Sequence, residues 1–363
     1  MSGAFRAAWA LGLLVCLLAA ASAHAQTYSY VEIGVFGTAS SDGRGTGAAW
    51  DVNGAERVVG ASTTNVFGAG RAFLWAGGQL TNLGVIGGGT FAASAAYGIN
   101  EDGDIVGQTH VNASDPPHAF LHRNGALTDL GTGFGAGSFS RGWEINNADE
   151  IVGERARSQS SAVRAFLWRH GRFRDLGTLG GTGGAFGTSS VAYGINDRRQ
   201  VVGAALPARG PLRPFLWERG VMRDLGTLGG GNEAGEARAI DASSRVVGSS
   251  PTASGFTHAF LWQRGAMRDL GTLGGNISHA KGINNNGEVV GGSRTPSSPP
   301  GNAGHAFLWA NGRMVDLNTV VTNLPQDVVL EVAQAINDDG RIVGTTCSPS
   351  ASPARLRPPA RSC

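Results

Sequence analysis

A four-residue word, Ala72-Phe73-Leu74-Trp75, returns in close form along the chain, with its phenylalanine at Phe120, Phe166, Phe215, Phe260 and Phe307. The steps are 47, 46, 49, 45 and 47 residues. A period of that size makes the chain an array of like units, each leaning on its neighbours to bury its apolar face. Two more words recur in register with the first. Asp-Leu-Gly follows each copy (Asn82 in the first, then Asp129, Asp175, Asp224, Asp269 and Asp316), in its fullest form as DLGTLGG at 175–181, 224–230 and 269–275. A Gly-Ile-Asn word followed by Val-Val-Gly occurs seven times, its Asn or Asp falling at Asn53, Asn100, Asn146, Asn196, Asp241, Asn284 and Asn337.

Each word has a local physical reading. Asn100-Glu101-Asp102-Gly103 between two β-branched runs is a hairpin turn, in which the first side chain caps its own backbone and the fourth residue takes the left-handed conformation. Gly103, Gly287 and Gly340 suit that fourth position; Asp149 is a tolerated substitute, and Glu56, Arg199 and Ser244 fit it less well. A second hairpin joins Phe-Leu-Trp to Asp-Leu-Gly through Gly78, Gly125, Gly171, Gly220, Gly265 and Gly312. Each repeat therefore holds four short strands. The Phe-Leu-Trp strand is apolar on both faces, since alternate side chains point opposite ways. Such a sheet needs neighbours on both sides. Four-stranded sheets stacked face to face around an axis supply them, so the expected fold is all-β, a β-propeller of about seven four-stranded blades. A β-solenoid is the alternative, disfavoured because its rungs are generally shorter.

The ends give three expectations. Arg6, an apolar run from Trp9 to Ala21 and Ala23-His24-Ala25 make a secretory leader over 1–25, cleaved after Ala25. The repeat region then runs over 26–346, followed by an irregular Pro/Arg-rich tail over 347–363. Tyr28 to Phe36 aligns with the Asp-Leu-Gly strand and is expected to pair with the last repeat, tying the ring together. That last repeat supplies only two strands before the tail, which leaves one strand missing.

Charge excludes some partners. The chain has 29 basic and 27 acidic residues. Nucleic acid or an anionic membrane surface would need a basic excess, and no integral membrane segment is expected once the leader is cleaved. Lys281 is the only lysine, a bias attributed to codon usage. Of three cysteines, Cys347 and Cys363 follow the leader and could pair.

A catalytic residue is normally singular, whereas a structural one recurs in every unit. By that rule the recurring Asp forms hydrogen bonds within or between blades, and His118, His258 and His305 are structural or solvent-facing. His118 and His122, four apart on a strand, stand too far apart to share a zinc ion. Asn100-Glu101-Asp102-Gly103-Asp104 has a faint calcium-loop pattern that turn chemistry explains better. No catalytic, metal or cofactor site is expected.

His-Ala-Phe at 118–120, 258–260 and 305–307, with DLGTLGG and the Gly-Ile-Asn hairpin, resembles the bacterial extracellular repeat proteins named for the HAF motif, over about residues 28 to 345. The resemblance implies an exported, propeller-like protein of no established activity. The leading expectation is a secreted binding or scaffold module for an extracellular glycan or protein. Alternatives are a propeller enzyme acting on extracellular glycans or lactones, marked by carboxylates gathered at the axis from different blades, and a structural component of a surface or matrix. Strand parity puts the variable connections at one end of the ring, and that end, with Phe67, Phe91, Phe139, Phe186 and Phe256, is the expected ligand face.

Overall fold

The computed structural model describes residues 27–36, 47–63, 70–87, 92–111, 116–158, 161–181, 189–231, 233–298 and 304–347. The expected leader, and the expected tail beyond Cys347, lie outside them. Cys347 is disulfide-bonded.

The chain forms a β-propeller. Six repeats are four-stranded antiparallel sheets whose strands pair in chain order. The first strands are Gly47–Val52, Ser94–Ile99, Phe139–Ile145, Ser190–Ile195, Glu236–Ile240, Ser278–Ile283 and Val329–Ile336. Each contacts the next, and the seventh contacts the first. They are the inner wall of a closed ring, which excludes the solenoid.

The double-β-branched word explains why the sheets stack. Consecutive residues of a strand face opposite ways, so Val58 enters one interblade core and Val59 the next. Val58 packs with Phe73 and with Val343 of the seventh repeat; Val59 packs with Phe120 of the second. The division repeats at Ile105 and Val106, Val201 and Val202, Val246 and Val247, Val289 and Val290, and Ile342 and Val343. The six recurring phenylalanines are fully buried, one to an interface. Each contributes roughly 1.5–3 kcal/mol of transfer free energy.

The glycine of Val-Val-Gly has a steric reason. A Cβ there would lie 2.0 Å from the Ala48 carbonyl oxygen at Gly60, 1.9 Å from Ala95 O at Gly107 and 1.8 Å from Arg141 O at Gly153, with the same clash at Gly203, Gly248, Gly291 and Gly344. The facing first strand comes this close because it carries an extra residue. Ala49 pairs with Gly60 and Asp51 with Val59, which leaves Trp50 as a β-bulge. The same register skip leaves out Tyr97, Trp143, Tyr193, Arg238, Lys281 and Gln334.

The turns form as read. Glu56, Asp149, Arg199 and Ser244 take the left-handed conformation, with φ of 58°, 59°, 60° and 62°, as readily as Gly103, Gly287 and Gly340 do. The Asx cap at the first position holds them there: Asn53 Oδ1 accepts from Arg57 N at 3.0 Å, and Asn196 Oδ1 from Gln200 N at 3.0 Å.

The seventh repeat supplies two strands, as expected. It is a two-stranded sheet, Val329–Ile336 with Ile342–Cys347. Tyr28 to Phe36 does not complete it as a paired strand. Among the described residues no third strand lies beside Ile342–Cys347, so a fourth has no neighbour to bond. Instead Tyr28 forms one parallel bridge to Val321, donating to Val320 O at 3.2 Å and accepting from Thr322 N at 3.0 Å. Its side chains still serve this repeat on both faces. Tyr28, 2% exposed, fills the core between sixth and seventh repeats, where no phenylalanine is available. Ile33 packs with Val343 on the other face.

Candidate functional site: an axial chamber lined by seven bulges

Closure begins at the turn end of the channel. The amide of each turn-opening asparagine is used twice: its oxygen caps its own turn, and its nitrogen reaches the next repeat. Asn53 Nδ2 donates to Asn100 O (3.0 Å), Asn100 to Asn146 O (3.3 Å), Asn146 to Asn196 O (3.1 Å) and Asn196 to Asp241 O (2.9 Å). Asn284 donates to Asn337 O (3.0 Å), and Asn337 closes the circle on Asn53 O (3.0 Å). Asp241 has no amide hydrogen to give. Arg245, four residues on, pairs with its carboxylate and sends Nη2 to Asn285 O at 2.8 Å, so the link is kept by other means.

Next along the axis stands a ring of β-branched residues: Val52, Ile99, Ile145, Ile195, Ile240, Ile283 and Ile336. Ile195, Ile240, Ile283 and Ile336 also border a cavity of about 460 Å³ on the other side. All seven bulged residues line that chamber. Bulges re-aim side chains, and they concentrate beside functional sites. Here the same bulge is used seven times, and what it presents differs from repeat to repeat.

One arc of the wall is aromatic. Trp50 and Tyr97 have ring centroids 4.6 Å apart, Tyr97 and Trp143 4.5 Å, and Trp143 and Tyr193 5.7 Å in an edge-to-face contact. The opposite arc is polar. The Arg238 guanidinium lies 4.0 Å over the Tyr193 ring and donates through Nε to Glu236 at 2.7 Å. Lys281 Nζ stands 4.0 Å from the same carboxylate, and Gln334 completes the arc.

Two further wall residues are carboxylic acids from different repeats. Burial pushes Asp51 up to about 6, although Val52 N–H and Ile99 N–H donate to it at 2.8 and 2.9 Å. Burial, with Asp51 nearby, holds Glu144 well above the usual carboxylate range. Burial and the Arg238 charge bring Lys281 down to about 8. Glu236 is held below its ordinary value, because Arg238, Lys281 and His279 together outweigh the effect of its burial.

Of the phenylalanines singled out in the sequence, only Phe139 and Phe256 are described. Phe67, Phe91 and Phe186 are outside the described residues. Phe139 is half-buried at the start of an inner strand, and Phe256 is 43% exposed near a turn of the fifth repeat; neither lines the chamber. The recurring Asp forms hydrogen bonds within its blade: Asp129 accepts from Gly131 N at 2.7 Å and pairs with His118 at 3.0 Å. His258 with Asp269 and His305 with Asp316 repeat the pair, and Arg164 replaces the histidine opposite Asp175. The calcium-like turn has its groups committed, since Glu101 accepts from Gly54 N at 3.0 Å and Asp104 pairs with Arg123. No group of three metal-ligating side chains occurs among the described residues. Lys281, attributed above to codon usage, stands in the chamber wall. The signal for the chamber was present three positions before each Asn or Asp: Trp50, Tyr97, Trp143, Tyr193, Arg238, Lys281 and Gln334 vary, while the β-branched residue and the Asn or Asp that follow them nearly recur.

No family model matches the chain, and no curated protein does. Among solved structures it is similar to TolB from Acinetobacter baumannii, at 10% identity and a TM-score of 0.48, with 80% of this chain and 64% of that chain covered. It is also similar to a mutant of the Aleuria aurantia lectin in complex with Fucalpha1-6GlcNAc, at 13% identity and a TM-score of 0.39 (77% and 96% covered). A third is the β-propeller domain of the Trilobed protease from Pyrococcus furiosus, at 10% identity and a TM-score of 0.38 (59% and 65% covered). This chain thus spans less than two thirds of TolB. At these scores the likenesses carry no argument about ligand or activity.

Proposed function

We propose that this protein is an exported binding module of the HAF-repeat type, and that it holds an extracellular glycan or protein segment in its axial chamber. One observation carries the reading. Seven equivalent bulges aim seven side chains at one cavity, and these positions vary in a frame where Ile or Val and then Asn or Asp recur two and three residues on. A rigid repeat with variation confined to a concave surface is how repeat proteins build recognition. The cavity's size suits a small ligand or the end of a chain, and its aromatic arc offers apolar ring surface. The test is a glycan and protein pull-down with the mature protein, repeated with Trp143→Ala. Ligand captured by the wild type and lost with the substitution supports the chamber; capture unaffected by it moves the site elsewhere.

A second reading is favoured by Asp51 and Glu144, carboxyl groups brought to the axis from the first and third repeats. Burial raises both above the ordinary carboxylate range, the direction a general acid in glycan cleavage requires. Incubation of the captured glycan with wild type and Glu144→Gln decides it. Cleavage by the wild type alone supports an enzyme, and intact glycan in both supports the binding module.

A further inference from the structure

Within the proposed binding module, the two arcs of the chamber are chemically unlike, and the difference says what kind of ligand fits. We infer that the chamber selects a saccharide residue bearing a carboxylate, with the sugar ring against the Trp143 and Tyr193 side and the carboxylate held by Arg238 and Lys281. The inference rests on the reading that the chamber is a binding site.

The cationic arc is built and held, yet not used up. Arg238 is anchored at both faces of its function: Nε is spent on Glu236 at 2.7 Å, and the guanidinium plane rests 4.0 Å over Tyr193. Its terminal Nη groups donate to nothing among the described residues, so the side of the fork suited to a carboxylate is open. Lys281 Nζ makes no hydrogen bond among the described residues; its nearest carboxylate oxygen, Glu236 Oε1, is 4.0 Å away. One carboxylate thus faces two cations. Its proximity orients them and leaves one positive charge uncompensated within the arc. His279, the next titratable group, is held toward its neutral form by burial and by Lys281, so it does not change that count.

In the acidic range, below the value of about 6 to which burial raises Asp51, the other groups facing the chamber do not oppose an anion. Asp51 has both oxygens occupied by the Val52 and Ile99 N–H groups, and Glu144 Oε1 accepts from Ile145 N at 3.0 Å. Burial favours the uncharged form of both acids. Glu154, which does not line the chamber, is paired with Arg141 at 2.7 Å. The aromatic arc then supplies the surface for the rest of the ligand. A sugar ring presents C–H groups to an aromatic face and hydroxyls at its edge, where Gln334 and the Glu144 carboxyl can meet them. A flat aromatic acid would use the arc without those edge groups.

The experiment compares acid with uncharged ligand on the full-length mature protein. Isothermal titration is run with oligogalacturonate, oligoalginate and a chondroitin disaccharide, each beside its methyl-esterified counterpart. Neutral cello- and chito-oligosaccharides and benzoate complete the set. The expected result is that at least one acidic saccharide binds about 10- to 100-fold more tightly than its ester, the range of one or two charge-assisted hydrogen bonds. Arg238→Gln and Lys281→Met should each reduce that ratio, while Trp143→Ala should weaken acid and ester alike. Lys281→Met guards against misfolding, because it leaves the Arg238–Glu236 pair whole. Equal binding of acid and ester, or binding of the neutral series alone, overturns the carboxylate preference while the chamber reading stands. Binding of benzoate as tight as that of the best saccharide overturns the sugar assignment. Absence of binding across the whole set overturns the inference, and an unaltered pull-down with Trp143→Ala separately overturns the chamber reading.

Discussion

Asp241 is the natural exception in the asparagine circle, and it sets up a graded test. Its carboxylate caps its turn through Ser243 N (2.9 Å) and Arg245 N (2.8 Å), and Arg245 replaces the lost interblade link. The residue four positions on should therefore decide whether Asp is tolerated. At Asn53 that residue is Arg57, whose Nη1 is already 3.5 Å from Asp102 O in the next turn. At Asn146 it is Glu150, whose side chain is 1% exposed and accepts from Asn146 Nδ2 at 3.1 Å. Asn146→Asp removes that bond and the one to Asn196 O, about 1 kcal/mol each. It also sets two carboxylates about 3 Å apart, a repulsion of about 5 kcal/mol at an effective dielectric near 20. Arg199 at 2.5 Å and Arg169 at 3.2 Å from Glu150 offset part of it. A net loss of about 3–5 kcal/mol results, against about 1 kcal/mol for Asn53→Asp. Calorimetric unfolding at pH 7 should show Asn146→Asp melting several degrees lower than Asn53→Asp. The new carboxyl would have its pKa raised in the fold, so its penalty is full above that value and shrinks as pH falls toward the ordinary carboxylate range. The deficit of Asn146→Asp should accordingly narrow at pH 5. Equal melting points for the two variants would refute the reasoning.

Tyr28→Ala should cost about 3 kcal/mol, near the lower end for a buried aromatic, measured by urea unfolding; a loss below about 1 kcal/mol would mean that the N-terminal segment does not support the seventh repeat. Asp51, raised to about 6 by burial, keeps its proton in the fold at pH values where the unfolded chain, near 3.9, has lost it. Stability should therefore fall as pH rises across that window and level off above it. Asp51→Asn should flatten the slope, and an unchanged slope would show the group is not buried as described. Mass spectrometry of the exported protein should find Gln26 first, and an intact Met1 would remove the leader from the proposal.

Much of this fold could be read from the words of the repeat. Phe-Leu-Trp, apolar on both faces, required sheets on either side, and Asn-x-x-Gly located the turns. The seventh repeat was only half legible. The phase of Tyr28 to Phe36 revealed which repeat it belongs to, but phase says nothing about whether a neighbouring strand is in place, and among the described residues no third strand is. The chamber was the larger omission. Alternation of period two assigns each strand residue to a face, and an extra residue breaks that count without marking itself. The clash that demands glycine at Gly60 or Gly153 is a contact between strands, visible only once both are placed. Attention to recurrence also worked against finding the site, because its residues are those that do not recur. Lys281 is the sole lysine of the chain, and codon usage explains its rarity without explaining its place in the chamber wall.

The most direct test fills the chamber. Gln334→Trp places a large ring in the polar arc, where the cavity of about 460 Å³ gives it room, while Phe256→Ala trims the exposed aromatic near the variable loops. With the ligand captured by the wild type, the dissociation constant of each variant is measured beside its melting point. A binding site in the chamber requires that Gln334→Trp lose affinity at least tenfold with the melting point held, and that Phe256→Ala bind as the wild type does. Full affinity in the filled variant, with loss in Phe256→Ala, would contradict the chamber and put recognition on the loops.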